Sequence, residues 1–141
     1  MLPAPPTEAY RPKPRVLLVE DDEGTRLALE AWLGQRYEVV SARNGLEGIE
    51  KATAPDAPPD VVIADVWMPV LDGVEMVVRM KRIESLRRVP VIFLTAHTAP
   101  AGVIAGIQAG ARAYLHKPVS LDTLDRKLRS ALRHRDVVSS A

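Results

Sequence analysis

The chain has 141 residues, enough for one domain with one sizeable core, and its 47% hydrophobic and 26% charged content is that of an ordinary globular protein. Its 19 Lys and Arg against 18 Asp and Glu leave a formal charge of +1, so no global bias points to direct nucleic-acid binding or to an anionic membrane surface. It has no cysteine, which excludes disulfides, thiolate metal sites and a cysteine nucleophile and suits a reducing cytoplasm.

Residues 1–13 contain Pro3, Pro5, Pro6 and Pro12 with almost no periodic apolar pattern, and Pro14 follows; this is predicted to be a mobile tail. No signal-peptide core lies there, and no apolar run approaches the roughly 20 residues that span a bilayer. The run Val16-Leu17-Leu18-Val19 reads as a strand buried on both faces, stopped abruptly by Glu20-Asp21-Asp22. Asp22 or a neighbour can cap a helix over Thr25–Leu33, which Gly34 ends.

The alternation then repeats. Tyr37–Ser41 is a predicted strand, Gly45–Ala52 a helix, and the proline-rich segment 54–59 a loop. Val61-Val62-Ile63-Ala64 is the next strand, closed by Asp65. A turn at Met68-Pro69 leads through Asp72-Gly73 into a helix ending near Ile83. Val89–Leu94 is a fourth strand ending at Thr95. A weaker helix over Ala101–Ala109, diluted by glycine, is expected to be mobile. Ala113-Tyr114-Leu115 is a short fifth strand closed by Lys117-Pro118. Leu121 to about His134 is the last helix, with Asp122 and Asp125 early and its bases late, as the helix dipole favours. Residues 14–135 form the expected domain and 136–141 a short tail. Five apolar strands alternating with five helices imply right-handed crossovers and a parallel sheet covered on both faces.

Several strands stop at a polar residue: Glu20 and Asp21 after the first, Asp65 after the third, Thr95 at the fourth, Lys117 after the fifth. An open parallel sheet binds ligands outside the carboxyl ends of its strands, so residues distant in sequence meet on one rim. Glu20, Asp21 and Asp65 would there raise one another's pKa unless a cation intervened. An all-oxygen set selects a hard ion, Mg²⁺ first and Mn²⁺ as a substitute. That dication and Lys117 together cancel the three carboxylates and let an anionic phosphoryl group approach.

The segments 17–22, 63–69 with Asp72-Gly73, Leu94-Thr95-Ala96 and Tyr114-Leu115-His116-Lys117-Pro118 resemble the receiver domains of two-component response regulators, of the chemotaxis-regulator kind, over about residues 14–135. The resemblance implies a flavodoxin-like, doubly wound (βα)5 sandwich of three layers around a five-stranded parallel sheet. It implies that Asp65 accepts the phosphoryl group from a phosphohistidine on a sensor histidine kinase or a histidine phosphotransfer protein. Glu20, Asp21, Asp65 and the main-chain carbonyl of Trp67 would hold the metal. Lys117, Thr95 and the main chain around Trp67 and Ala96 would contact phosphoryl oxygens. Thr95 and Tyr114 would report the event to an output protein reading the fourth helix, fifth strand and fifth helix. The Lys117-Pro118 bond is expected to be cis.

Other classes fit less well. An aspartate-based phosphohydrolase wants a second carboxylate two residues after Asp65, where Trp67 stands. A flavin or nucleotide binder wants a glycine- or hydroxyl-rich loop after the first strand, where Glu20-Asp21-Asp22-Glu23 carries the wrong charge. A phosphorylation-independent adaptor on the same fold, or a receiver cut from a hybrid histidine kinase or multidomain regulator, are the remaining alternatives; no DNA-binding motif is expected in the six residues that follow Arg135 here.

Overall fold

The computed structural model describes residues 13–55, 58–96 and 110–140. Five strands, β1 (Arg15–Val19), β2 (Glu38–Ala42), β3 (Val61–Ala64), β4 (Val91–Thr95) and β5 (Ala113–His116), form one sheet in the order β2-β1-β3-β4-β5, all parallel. The described helices are α1 (Glu23–Leu33), α2 (Gly45–Ala52), α3 (Gly73–Lys81) and α4 (Leu121–Ser140), with a 3₁₀ turn at Glu84–Leu86. This is the expected doubly wound α/β sandwich. The weak helix over 101–109, His97 and the proline tail lie outside the described residues.

The pleat explains the two cores. Successive strand residues point to opposite faces. Leu17, Val19, Val62, Ala64, Val91 and Phe93 therefore pack with Met76, Val77 and Met80 of α3 and Ala52 of α2. Val16, Leu18, Val61, Ile63, Ile92 and Leu94 pack with Leu29 and Leu33 of α1 and Leu124, Leu128 and Ala131 of α4. Apart from Arg15 at the start of β1 and Thr95 at the end of β4, the inner strands are apolar because each face has a helix layer above it.

Three helices begin with the same device. The side chains of Asp22, Asn44 and Asp72 accept the backbone N–H three residues on, from Thr25 at 2.8 Å, Glu47 at 2.9 Å and Glu75 at 2.8 Å. Each cap satisfies a donor that the first helical turn leaves unpaired.

Several boundaries differ from expectation for local reasons. Helix α1 starts two residues early because Asp22 itself is the cap. Tyr37 is not yet strand: its N–H still bonds the Leu33 carbonyl closing α1, at 2.8 Å. Strand β4 starts at Val91 rather than Val89, since Val89 donates back to Leu86 in a turn and Pro90 has no N–H. Helix α3 ends at Lys81, and α4 runs on to Ser140, no glycine or proline interrupting it after Pro118. No described helix is long and apolar enough to cross a membrane.

Candidate functional site

Because β1 lies between β2 and β3, the chain winds outward in opposite directions on either side of it, and a crevice opens at the carboxyl ends of β1 and β3. Backbone bonds just past the strands fix the rim. Glu20 N–H donates to Ala42 O at 3.0 Å, Asp65 N–H to Val19 O at 3.1 Å, and Lys117 N–H to Thr95 O at 2.8 Å. The Lys117-Pro118 peptide is cis, as expected.

Glu20, Asp21 and Asp65 each bring a carboxylate oxygen into one cluster whose members lie within 4.8 Å of one another. Glu20 is buried, Asp65 half-buried and Asp21 exposed, so the cluster opens to solvent on the Asp21 side. Lys117 joins them from the far edge: its Nζ lies 3.1 Å from Asp65 Oδ2 and also donates to Glu20 Oε1. The other Asp65 oxygen, Oδ1, accepts the N–H of Trp67 at 3.2 Å, and the Trp67 ring is half exposed.

The electrostatics follow from burial and pairing. Burial, first, and the Asp65 carboxylate push the Glu20 carboxyl up while Lys117 pulls it down, and the balance lies at about 7. Burial works to lower the Lys117 ammonium, but Glu20 and Asp65 outweigh it and hold its pKa above the ordinary lysine value. Glu20 Oε2 is buried with no hydrogen-bond donor. An unpaired buried oxygen costs free energy that a cation would recover. Three oxygen donors and no softer ligand fit Mg²⁺.

The remaining expected residues surround this cluster. Thr95 is fully buried at the end of β4, and Ala96 beyond it lines a shallow groove with Asp22, Thr25, Lys117 and Pro118. Tyr114 stands edge-on to Phe93 at 6.2 Å and to His116 at 5.7 Å. Burial, and then the Asp65 charge, raise its phenol pKa.

Two features were not foreseen. Arg26 is nine-tenths buried and donates from Nη1 to the main-chain carbonyl of Glu20 at 3.1 Å. The signal was present, since Arg26 occupies the buried stripe of α1 with Leu29 and Leu33, where an apolar residue is the default. Val70 has φ 72° at the centre of a three-residue turn in which Leu71 N–H bonds Pro69 O at 2.8 Å. A β-branched residue is strained there. Val70 is 75% exposed, so its side chain contributes no core packing. Replacing it by glycine should therefore raise stability by about 1 kcal/mol, strain relief exceeding the added unfolded-state entropy. Urea unfolding of Val70→Gly at pH 7 checks this; equal or lower stability contradicts it.

Residues 16–129 match the family described as the response regulator receiver domain. The chain is 37% identical over 121 residues to the transcriptional regulatory protein AfsQ1 of Streptomyces coelicolor, covering 85% of this chain and 52% of that protein. It spans about half the length of the curated relatives it matches first. A receiver domain from Clostridium thermocellum superposes with a TM-score of 0.81 at 28% identity, covering 89% of this chain and 98% of that one. The receiver domain of the sensor histidine kinase PA1611 from Pseudomonas aeruginosa, solved with a magnesium ion in its active site cleft, superposes with a TM-score of 0.77 at 32% identity, covering 84% and 97%.

Proposed function

The chain belongs to the response regulator receiver domain family, and from that premise we propose Asp65 as the phosphoacceptor through which it signals. Receivers of this family are switches found in response regulators and in hybrid histidine kinases, not turnover enzymes. The observation that carries the assignment is the Lys117 ammonium set between Asp65 Oδ2, at 3.1 Å, and Glu20, beside three clustered acids.

Phosphoryl transfer asks for positioning and charge neutralisation more than for acid–base work. An Asp65 carboxylate oxygen attacks the phosphorus of a phosphohistidine. The new O–P bond forms as the P–N bond breaks, and the electron pair leaves on the imidazole nitrogen, which takes up a proton. Lys117 then faces a phosphoryl oxygen in place of the spent carboxylate charge. The Thr95 hydroxyl, and main-chain groups near Trp67 and Ala96, bond the other oxygens. Glu20, Asp21, Asp65 and the Trp67 carbonyl would hold Mg²⁺, or Mn²⁺ in its place, which supplies charge neutralisation to the anionic group. Thr95 and Tyr114 move with the phosphoryl group and carry the change to an output protein at the β5–α4 side of the domain.

The donor is a sensor histidine kinase or histidine phosphotransfer protein, the working domain spans 14–135, and the compartment is the cytoplasm. Phosphorylation and slow loss of the phosphoryl group are the only reactions of the chain itself. Incubation with acetyl phosphate and Mg²⁺, read by intact mass, should add one phosphoryl group to the wild type and none to Asp65→Asn. A phosphorylated Asp65→Asn, or an unmodified wild type, would leave the adaptor reading in its place.

A further inference from the structure

Arg26 is the one buried charge of α1, and its place needs a reason. It shares a buried stripe with Leu29 and Leu33, and only 9% of it is exposed. Moving a guanidinium out of water is costly unless its protons are bonded. Among the described residues it forms no ion pair within salt-bridge distance, and its Nη1 donates to the carbonyl oxygen of Glu20. A leucine or methionine would fill the stripe at lower cost.

That carbonyl belongs to the peptide joining Glu20 to Asp21. The peptide unit is planar from one Cα to the next, so holding its oxygen restrains the plane that joins the two Cα atoms from which both side chains leave. On the other side, Glu20 N–H is already tied to Ala42 O at 3.0 Å. Two acids of the cluster therefore hang from one backbone segment gripped by β2 at its amide and by Arg26 at its carbonyl.

We infer that Arg26 is a positioning residue for the cation site: its guanidinium orients the Glu20–Asp21 peptide so that both carboxylates meet Asp65 around one ion. The inference rests on the Mg²⁺ reading above. It has a distinctive sign. A positive charge near a dication disfavours binding, so a purely electrostatic Arg26 would bind Mg²⁺ more tightly once neutralised. A positioning Arg26 would bind it more weakly, by roughly tenfold, the usual effect of removing a group that orients metal ligands.

The test titrates Mg²⁺ by Trp fluorescence and calorimetry into the wild type, Arg26→Met, Arg26→Lys and Leu33→Ala. Leu33 is fully buried on the same stripe and does not bond the acidic segment. The expected result is a roughly tenfold higher Kd for Arg26→Met, a partial return for Arg26→Lys, and an unchanged Kd with a lower Tm for Leu33→Ala. Should Arg26→Met not fold, Arg26→Lys still decides, since it keeps the charge but not the fork-shaped donor. An equal or lower Kd in the Arg26 variants overturns the inference while leaving the site intact. A wild type that does not respond to Mg²⁺ overturns the site reading and this inference together.

Discussion

Gly73→Ala is expected to lose about 3 kcal/mol or more of stability and to disable the acceptor loop in whatever fraction still folds. A methyl group at position 73 would sit 2.3 Å from the main-chain oxygen of Asp65 and 2.9 Å from the Phe93 ring. The first neighbour is backbone and cannot rotate away, and the second is fully buried in a filled core. Gly73 N–H also donates to Val66 O at 2.8 Å, so any retreat of α3 breaks a bond inside the loop that carries Asp65. Gly24→Ala is the contrast. Its added methyl meets only Asp22 Oδ2 at 3.6 Å, an ordinary contact, and helix propensity should return about 0.5 kcal/mol. Urea unfolding at pH 7 compares the two. A Gly73→Ala protein as stable as wild type would mean that α3 approaches Asp65 less closely than described.

The depth of this contact marks where the sequence was and was not legible. The Asp72-Gly73 pair read correctly as a helix start, because capping is local chemistry between a side chain and an amide three residues away. Strand identity was equally readable: Val61-Val62-Ile63-Ala64 is apolar throughout since helices cover both faces, and the observed strand has those bounds. The rim could be anticipated from topology alone, as parallel strands deliver their carboxyl ends to one edge. What could not be read was tertiary. Nothing in the one-letter code says that Gly73 lies against Asp65 O or that Val70 adopts a left-handed backbone, and the stripe that marks Arg26 as inward does not name a carbonyl six residues back as its partner. These depend on how closely two elements approach, which neither periodicity nor propensity encodes. The ends of β2 and β4 slipped by one or two residues for a related reason: Tyr37 and Val89 satisfy their amides in turns made by preceding helical segments.

The second large effect concerns pH, and its sign follows from Glu20. Burial raises this carboxyl from 4.5 in the unfolded chain to about 7 in the fold. Between those values the folded protein keeps a proton that the unfolded chain has released. Stability from this group is therefore full below pH 4.5 and is lost as pH rises through 7, a loss of about 3 kcal/mol in the absence of divalent ions. Lys117, whose pKa lies above the ordinary lysine value, stays charged throughout that window and does not blur it. Asp22 acts in the opposite sense but at lower pH, since Thr25 holds its carboxyl below the ordinary range. Unfolding in urea with EDTA at pH 5 and pH 8 should show a steeper decline for the wild type than for Glu20→Gln, whose amide does not titrate. Mg²⁺ at about a hundred times the wild-type Kd should then restore roughly 2.7 kcal/mol to the wild type at pH 8 and less to Glu20→Gln at the same concentration, because that variant has lost one of the three carboxylates of the cluster and binds the ion more weakly. Parallel pH profiles for the two proteins would mean that Glu20 is ionised in the fold at ordinary carboxylate pH, with Lys117 alone sufficient to hold its charge.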